Sequence, residues 1–378
     1  MEGGDRQGFN MIPLFKVHMS ETIPEKVSKI LMSGYIGQGQ VVDDFEKVLK
    51  SHFGHDWLVT TNAATNAEHL ALHMLKKPTK VMEMNHTGDG AITHSWDGIK
   101  DGEEVLCTPL TCTATNWPVL ANNFNIKWVD VDPKTLNMDL DDLARKITKN
   151  TKIIYLVHWG GYPIDLDRVK EIQDRTRQMF GFRPMVIEDC AHGIGSEWRK
   201  KPLGNHGNIC TFSLQAIKHI TSIDGGILTL PNQDLYNRAK LLRWYGIDRE
   251  TNKKDFRCES DVAEWGFKFH MNDVNACVGI ENFKHLDDLV GKHINNAEYY
   301  NKELNNVDGV TLTQQDMKHR KSSYWIYSML VDKKQEFMDK MKECGIMVSQ
   351  VHERNDIHTC VSDYKAHLPN LDKIQKQL

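Results

Sequence analysis

The chain has 378 residues, 40% hydrophobic and 26% charged, with 47 Lys and Arg against 51 Asp and Glu for a formal charge of −4. This balance excludes disordered, collagen-like and disulfide-scaffold chains, and the length exceeds the ~250–300 residues at which one hydrophobic core stops growing, so two domains are expected. Without a basic excess to displace counterions, nucleic acid is not an expected partner. No stretch approaches the ~18 consecutive apolar residues of a membrane span. The opening MEGGDRQGFN has neither the basic nor the apolar part of a signal peptide, so the reading is a cytoplasmic protein with no membrane partner. Eight Cys stand at positions 107, 112, 190, 210, 258, 277, 344 and 360 without a CxxC pair. Buried thiols in a reducing compartment follow, rather than a zinc site or a disulfide framework.

In chain order, residues 1–10 are polar and Gly-rich and read as a flexible leader. LVTTN (58–62) predicts a strand, Ala63 to Leu75 a helix, EEVLCTP (103–109) a strand and TATNWPVLANN (113–123) a helix. Strand-like runs follow at IKWVDVD (126–132), KIIYLVHWG (152–160) and PMVIEDC (184–190), with helical patterns in DLDDLARKI and RVKEIQDRTRQM before the second and third. Strands alternating with helices predict an α/β fold with a mainly parallel sheet covered on both faces. The polar, Gly-containing segment 76–102 interrupts this rhythm and reads as a long surface loop. Beyond Trp244 come a polar stretch, DRETNKKDFRCESD, a Gly and aromatic run, WGFKFHMND, and then helix-rich sequence with strands such as YWIYSMLV. The shift places a domain boundary near residue 250, with a large cofactor-binding domain over 11–250 and a small one over 251–378.

Open α/β sheets bind ligands at the carboxyl ends of their strands, and three such ends carry polar residues. TTNAATNAEHL (60–70) puts small and polar residues at a strand-to-helix turn, where backbone N–H groups and the helix dipole can hold a phosphate. VIEDCAHG (186–193) ends a strand with Glu188 and Asp189, and TFSLQAIKHITSIDGG (211–226) surrounds Lys218 with Ser213, Gln215 and Thr221. Singly, these have ordinary explanations: a helix start, an N-cap acid, a solvated lysine. Together they are the parts of a pyridoxal-phosphate site, namely a sheltered amine for the cofactor aldehyde, a phosphate cradle, and an acid that keeps the pyridine nitrogen protonated.

The order of these blocks resembles the DegT/DnrJ/EryC1/StrS sugar aminotransferases from about residue 11 to 370. The blocks that carry it are SGYIGQGQVVDDFE, DGEEVLCTPLTCTATNWPVLANNFNIKWVDVDPKTLNMD, VHWGGYPIDLD, VIEDCAHGIGSEW, FSLQAIKHITSIDGG, LLRWYGIDRE and WGFKFHMNDVNACVGI. The resemblance implies a pyridoxal-phosphate transferase of fold type I, with a central parallel sheet between helices and a smaller C-terminal α+β domain. It implies that Lys218 bonds the cofactor aldehyde and then moves the proton between the amino donor and the cofactor, while Asp189 faces the ring nitrogen. Ser213, Gln215 and the Ala64-Thr65 helix start are implied on the phosphate side, and His192 beside the phenolic oxygen. Lys268 is implied to reach the phosphate of the neighbouring subunit's cofactor, hence a homodimer with a shared active site. Two departures stand out. Cys112 occupies the position that usually stacks an aromatic ring on the cofactor, and the chain ends at LPNLDKIQKQL, where family members run on, which implies a shortened small domain.

Trp159 and Tyr162 in HWGGYPID and Arg243 and Tyr245 in RWYGIDR are candidate substrate contacts. His158, His192, His206 and His270 show no HxH or HExxH spacing, so no metal site is expected. The function this implies is transfer of an amino group, from glutamate as donor, to a nucleotide-linked 4-keto-6-deoxy sugar. One alternative is a non-catalytic nucleotide-sugar or cofactor binder of the same fold. The other is a pyridoxal-phosphate sugar dehydratase, which in this family carries His in place of the lysine. Lys218 favours aminotransfer and leaves the adjacent His219 a bystander.

Overall fold

KIIYLV (152–157) is a run of branched and aromatic residues with no alternating polar face, the composition of a strand covered on both sides. In the computed structural model, which describes residues 11–84, 91–250 and 261–378, this run lies inside a seven-stranded sheet. In chain order the elements are α1 (Ile23–Ser33), α2 (Gln40–Phe53), β1 (Leu58–Thr61), α3 (Ala64–Met74), β2 (Thr79–Met84), β3 (Ala91–Trp96), β4 (Glu104–Cys107) and α4 (Thr113–Ala121). Then come β5 (Asn125–Trp128), α5 (Leu140–Lys146), β6 (Thr151–Val157), α6 (Leu166–Phe180), β7 (Met185–Asp189), β8 (Glu197–Trp198), β9 (Lys201–Pro202), β10 (Ile209–Ser213) and β11 (Gly226–Thr229). The remainder is α7 (Gln233–Leu242), α8 (Asp273–Phe283), α9 (Leu286–Leu304), β12 (Val310–Leu312), β13 (Arg320–Lys321), β14 (Met329–Val331), α10 (Lys334–Glu343) and α11 (Pro369–Ile374).

The main sheet runs β1-β11-β10-β7-β6-β4-β5, parallel except that β11 is antiparallel to both of its neighbours. Side chains alternate across the strands, so each strand feeds two cores. Tyr155, Ile187 and Ile209 point into one core with Ala67 and Leu70 of α3, Val119 of α4 and Leu235 of α7. Leu156, Val186 and Phe212 point into the other with Phe45 and Leu49 of α2, Val169 of α6 and Ala276 of α8. Helix starts are capped where the sequence offers an acceptor: Asp165 accepts from the Arg168 N–H, Asn232 from Leu235 and Asn272 from Asn275.

Two expectations are corrected. The segment 76–102 is not one long loop, because β2 and β3 pair antiparallel from Thr79↔Trp96 to Met84↔Ala91. Its β-branched and apolar residues flank a Gly-rich middle, a hairpin pattern that the polar content disguised. The Lys80 carbonyl accepts from Asn232 Nδ2 at 2.7 Å, which fastens the hairpin to α7. YWIYSMLV forms strand only over Met329–Val331, and the residues before it make a loop that enters the site described below. The leader over 1–10, residues 85–90 of the supposed loop, and most of the polar stretch after Trp244 (251–260) lie outside the described residues.

The end of the chain returns to the main sheet. Asp130, just past β5, accepts from the Asn370 and Leu371 N–H groups, both at 2.9 Å, and so caps α11 from a distance. Leu371 and Ile374 then join the core that holds Val105 and Trp128. Asp130→Ala should cost about 1–3 kcal/mol by leaving the buried Leu371 N–H and the half-buried Asn370 N–H unpaired. Amide exchange should accelerate over 368–375, while the strands around β6 stay protected.

Candidate functional site

The site is assembled where β1, β7 and β10 end. At the end of β1 the chain enters α3 through Ala63, an extended residue whose side chain cannot cap, so the first N–H groups of the helix have no side-chain acceptor. Gly226, at the start of β11, passes close beneath: a Cβ there would meet the Ala63 oxygen and the Ala64 nitrogen, each at 2.6 Å. An uncapped helix start closed from below by a glycine is a seat for an anion. Ala64 and Thr65 lie in its first turn, and Ser213 ends β10 beside it, buried, its Oγ accepting from the Gln215 N–H. Gln215 itself is exposed, and its Oε1 accepts from the Ile217 N–H, which shapes the turn leading to Lys218.

Asp189 closes β7 at 4% exposure. Its Oδ2 accepts from Thr115 Oγ1 at 2.6 Å and its Oδ1 from the Ala191 N–H at 2.8 Å. Burial pushes this carboxyl up from its ordinary range, while the two hydrogen bonds and the charge of Lys218 pull it back. Lys218 is held on the loop after β10, and its Nζ lies 3.8 Å from the centre of the Trp325 ring. Burial lowers its pKa to about 8, against the opposing pull of Asp189, Cys112 and Glu68. About a tenth of Lys218 is therefore the uncharged amine at pH 7 and about half at pH 8, far more than for an ordinary lysine, while the remainder carries the charge that faces Asp189.

His192 stacks on Trp325 with ring centres 4.0 Å apart and planes 20° from parallel. Its Nδ1 accepts from the Gly160 N–H at 3.3 Å, which leaves Nε2 as a donor, and burial holds its pKa well below the ordinary value. Trp159 is buried edge-on to His192, with Nε1 donating to Ser328 Oγ at 3.1 Å. Cys112 is the residue preceding α4, half-buried, and its carbonyl accepts from Asn355 Nδ2.

These residues fit pyridoxal 5′-phosphate: a sheltered amine, a buried acid and an uncapped helix start converge. The DegT/DnrJ/EryC1/StrS aminotransferase family model matches residues 17–377. The chain belongs to this aminotransferase family. Its cofactor is pyridoxal 5′-phosphate. The chain superposes on the crystal structure of AtS13 from Actinomadura melliaura with a TM-score of 0.89 and 45% identity, covering 98% of this chain and 93% of that one. The sugar aminotransferase CalS13 from Micromonospora echinospora gives 0.88 and 41%, over 97% and 93%. The UDP-4-amino-4-deoxy-L-arabinose–oxoglutarate aminotransferase of Shewanella sediminis is 28% identical over 347 residues, 89% of this chain and 81% of that protein.

Other expected residues of this family member lie elsewhere. Tyr162 is fully buried, its hydroxyl donates to the Asp316 carbonyl at 2.5 Å, and it lines a cavity of about 650 Å³ with Asp165, Arg168 and Arg320, without Lys218. Arg243, expected beside the substrate, is 3% exposed, and its guanidinium is committed to Glu46 and to the Thr60 carbonyl. It is a strut between α7, α2 and β1. Tyr245 is exposed with a left-handed φ of 59°, and Lys268 is exposed on the strand-like run whose carbonyl meets Asn62.

Glu188 faces the opposite core from Asp189, accepting from His158 Nε2 at 2.8 Å and Asn208 Nδ2 at 2.6 Å. His158, Glu188 and Cys190 bring ligand-type atoms within 4.8 Å, but His158 Nδ1 is taken by the Ile164 N–H and both Glu188 oxygens are taken as well. His206 bonds the Lys201 carbonyl and His270 packs on Trp244, so the four histidines do not converge. His219 is also engaged, through Ser323.

Residue-by-residue reading missed Thr115, Glu68 and Trp325. Glu68 had a signal, as an acid on the otherwise apolar inner face of α3. Trp325 had none, because its loop reaches Lys218 only through the tertiary fold. In apo-protein, trapping of Lys218 by pyridoxal 5′-phosphate and borohydride should quicken with pH and level off above about 8. A rate still climbing at about pH 10 would describe an ordinary lysine.

Proposed function

We propose that this protein moves an amino group from glutamate to the keto carbon of a nucleotide-linked 4-keto-6-deoxy sugar. The observation that carries the reading is the sheltered Lys218 amine in charge contact with the buried Asp189 carboxylate. Bound pyridoxal 5′-phosphate supplies an aldehyde for amine exchange and a ring that accepts the electron pair released when the C–H bond beside the nitrogen breaks. Lys218 would hold the cofactor through that aldehyde and, once displaced by the donor amine, would carry the proton as base and acid. Asp189 would hold the ring-nitrogen proton, with Thr115 keeping its carboxylate aimed. His192 would offer Nε2–H to the phenolic oxygen, and the start of α3 with Thr65 and Ser213 would receive the phosphate. The name of the Shewanella relative carries a nucleotide-linked 4-amino sugar and oxoglutarate, and that of a Campylobacter jejuni relative, 28% identical over 351 residues, a nucleotide-linked 4-amino-4,6-dideoxy sugar; together they support the substrate class. A silent binder has no use for a sheltered amine.

Purified protein should be yellow, and Lys218→Ala should lower transamination by at least the ~10²–10⁴-fold that positioned proton transfer contributes. Asp189→Asn should be almost as damaging, because a neutral amide does not hold the pyridinium proton. Mass spectrometry that places the borohydride-fixed cofactor on another lysine would contradict this assignment.

A homodimer with shared sites belongs to the same reading. In the single chain Met32, Tyr35 and Trp265 are 84%, 85% and 66% exposed. The first two lead into Gly37, whose carbonyl accepts the Asp273 N–H at the start of α8. Burying such a surface in a partner is favourable at roughly 25 cal/mol per Å². The exposed Lys268 is suited to reach the partner's phosphate. Inactive Lys268→Ala and Lys218→Ala proteins, mixed and allowed to exchange subunits, should regain activity, since one site of each hybrid is then intact. Mixing without recovery would place Lys268 outside the partner's site.

A further inference from the structure

Glu68 is the buried acid that the reading above leaves unused. It lies one turn beyond Thr65 on α3, is 1% exposed, and its Oε2 has no hydrogen-bond partner. The pairings Val157↔Asp189 and Thr211↔Asp189 set the face it meets. Tyr155, two residues before Val157, and Thr211 share the sheet face of Asp189. The Tyr155 hydroxyl and Thr211 Oγ1 are likewise buried without a partner. Three buried polar atoms thus line the layer between α3 and the sheet, the Tyr155 hydroxyl next to the Glu68 carboxyl, beneath the carboxylate that faces the cofactor ring.

The titratable groups around Glu68 come from every side: Tyr155 on β6, Asp189 on β7, Cys112 ahead of α4 and Lys218 after β10. On α3 itself, His69 and His73 turn toward Phe267. Two carboxylates in a dry layer cannot both stay ionised against one lysine. Asp189 has two donors, Thr115 and the Ala191 N–H, that favour its charge; Glu68 has only the Tyr155 hydroxyl beside it, and a poorly paired buried charge is far costlier than a neutral group. Burial first, and then Asp189, push the Glu68 carboxyl well above its usual range.

We propose that Glu68 is a positioning residue for this site: an uncharged carboxyl that organises the polar layer under Asp189 and leaves the negative charge to Asp189. This rests on Lys218 and Asp189 holding pyridoxal 5′-phosphate. A raised pKa in the fold stabilises the protein below the unfolded pKa of about 4.3 and is lost as pH rises, so an amide that never ionises gains over Glu68 only at higher pH.

Melting of the cofactor-free protein tests the charge state. Glu68→Gln should melt above wild type by about 2–4 °C or more at pH 8, with the gap closing toward pH 4.5. A gap equal at both pH values, or none at pH 8, overturns the uncharged assignment. With cofactor bound, the pH at which the visible band changes should move by less than about half a unit in Glu68→Gln, whereas loss of a carboxylate beside Lys218 would move it by about one unit or more. A shift of that size also overturns the proposal. Glu68→Leu, which fills the space without a donor, should weaken cofactor binding about tenfold, and wild-type affinity in it would make Glu68 a bystander. If the leucine variant does not fold, the glutamine results still decide. Wild-type protein that takes up no cofactor would instead defeat the reading of the Lys218 site, a failure visible before any variant is compared.

Discussion

A carboxylate withdrawn from water at the end of a strand must be met by donors and positive charge, because the effective cost of burying an ion is several kcal/mol. Asp189 is in this position, and its compensation comes from three parts of the chain. Thr115 belongs to α4, the Ala191 N–H to the turn after β7, and the Lys218 charge to the loop after β10. The convergence holds only while β7 lies between β6 and β10 and α4 covers the same sheet face, so the strand order and the site are one arrangement. The same low polarity that makes the carboxylate costly lowers the pKa of Lys218, so one desolvated pocket prepares both the acid and the amine.

The period of a strand divides two adjacent acids between two tasks. Glu188 turns to the α2 and α6 side, where His158 and Asn208 occupy its oxygens and the His158 ring is fastened by the Ile164 N–H. Asp189 turns to the α3 and α4 side and keeps its charge for the ligand end of the sheet. In the pair behind the sheet, both His158 ring nitrogens and both Glu188 oxygens have protein hydrogen-bond partners. The pair braces the strand from which Asp189 projects, since the His158 N–H also donates to the Asp189 carbonyl at 3.1 Å.

The later part of the chain completes the pocket. Trp325 is positioned by its Nε1 bond to the Ile217 carbonyl at 3.0 Å and by stacking on His192, so one indole contacts both the lysine loop and the turn after β7. Ser323, two residues earlier, bonds Ser196, His192 and His219, and the return of α11 to Asp130 brings the end of the chain back to the large sheet. His219 thus has a structural task, to hold the segment that carries Trp325.

The strands at 58–61, 104–107, 151–157 and 185–189, the helices between them, and the polar residues at strand ends, with Lys218 and Asp189 among the candidates, were legible in the sequence. These rest on local properties: apolar period, turn chemistry, and polar residues at strand ends. What the tertiary structure decided is which distant groups meet. Thr115 reaches Asp189 across 74 positions, and Arg243 is consumed by Glu46 across 197, which converts an apparent substrate contact into a strut. The hairpin over β2 and β3 gained its place from pairing and from Asn232 rather than from its own apolar content. The helical pattern marks Glu68 as an acid on an apolar face, but whether such a carboxyl is solvated or buried is not legible there, because the spacing is the same in either case. Only the packing of α3 on the sheet withdraws it from water and sets it beneath Asp189.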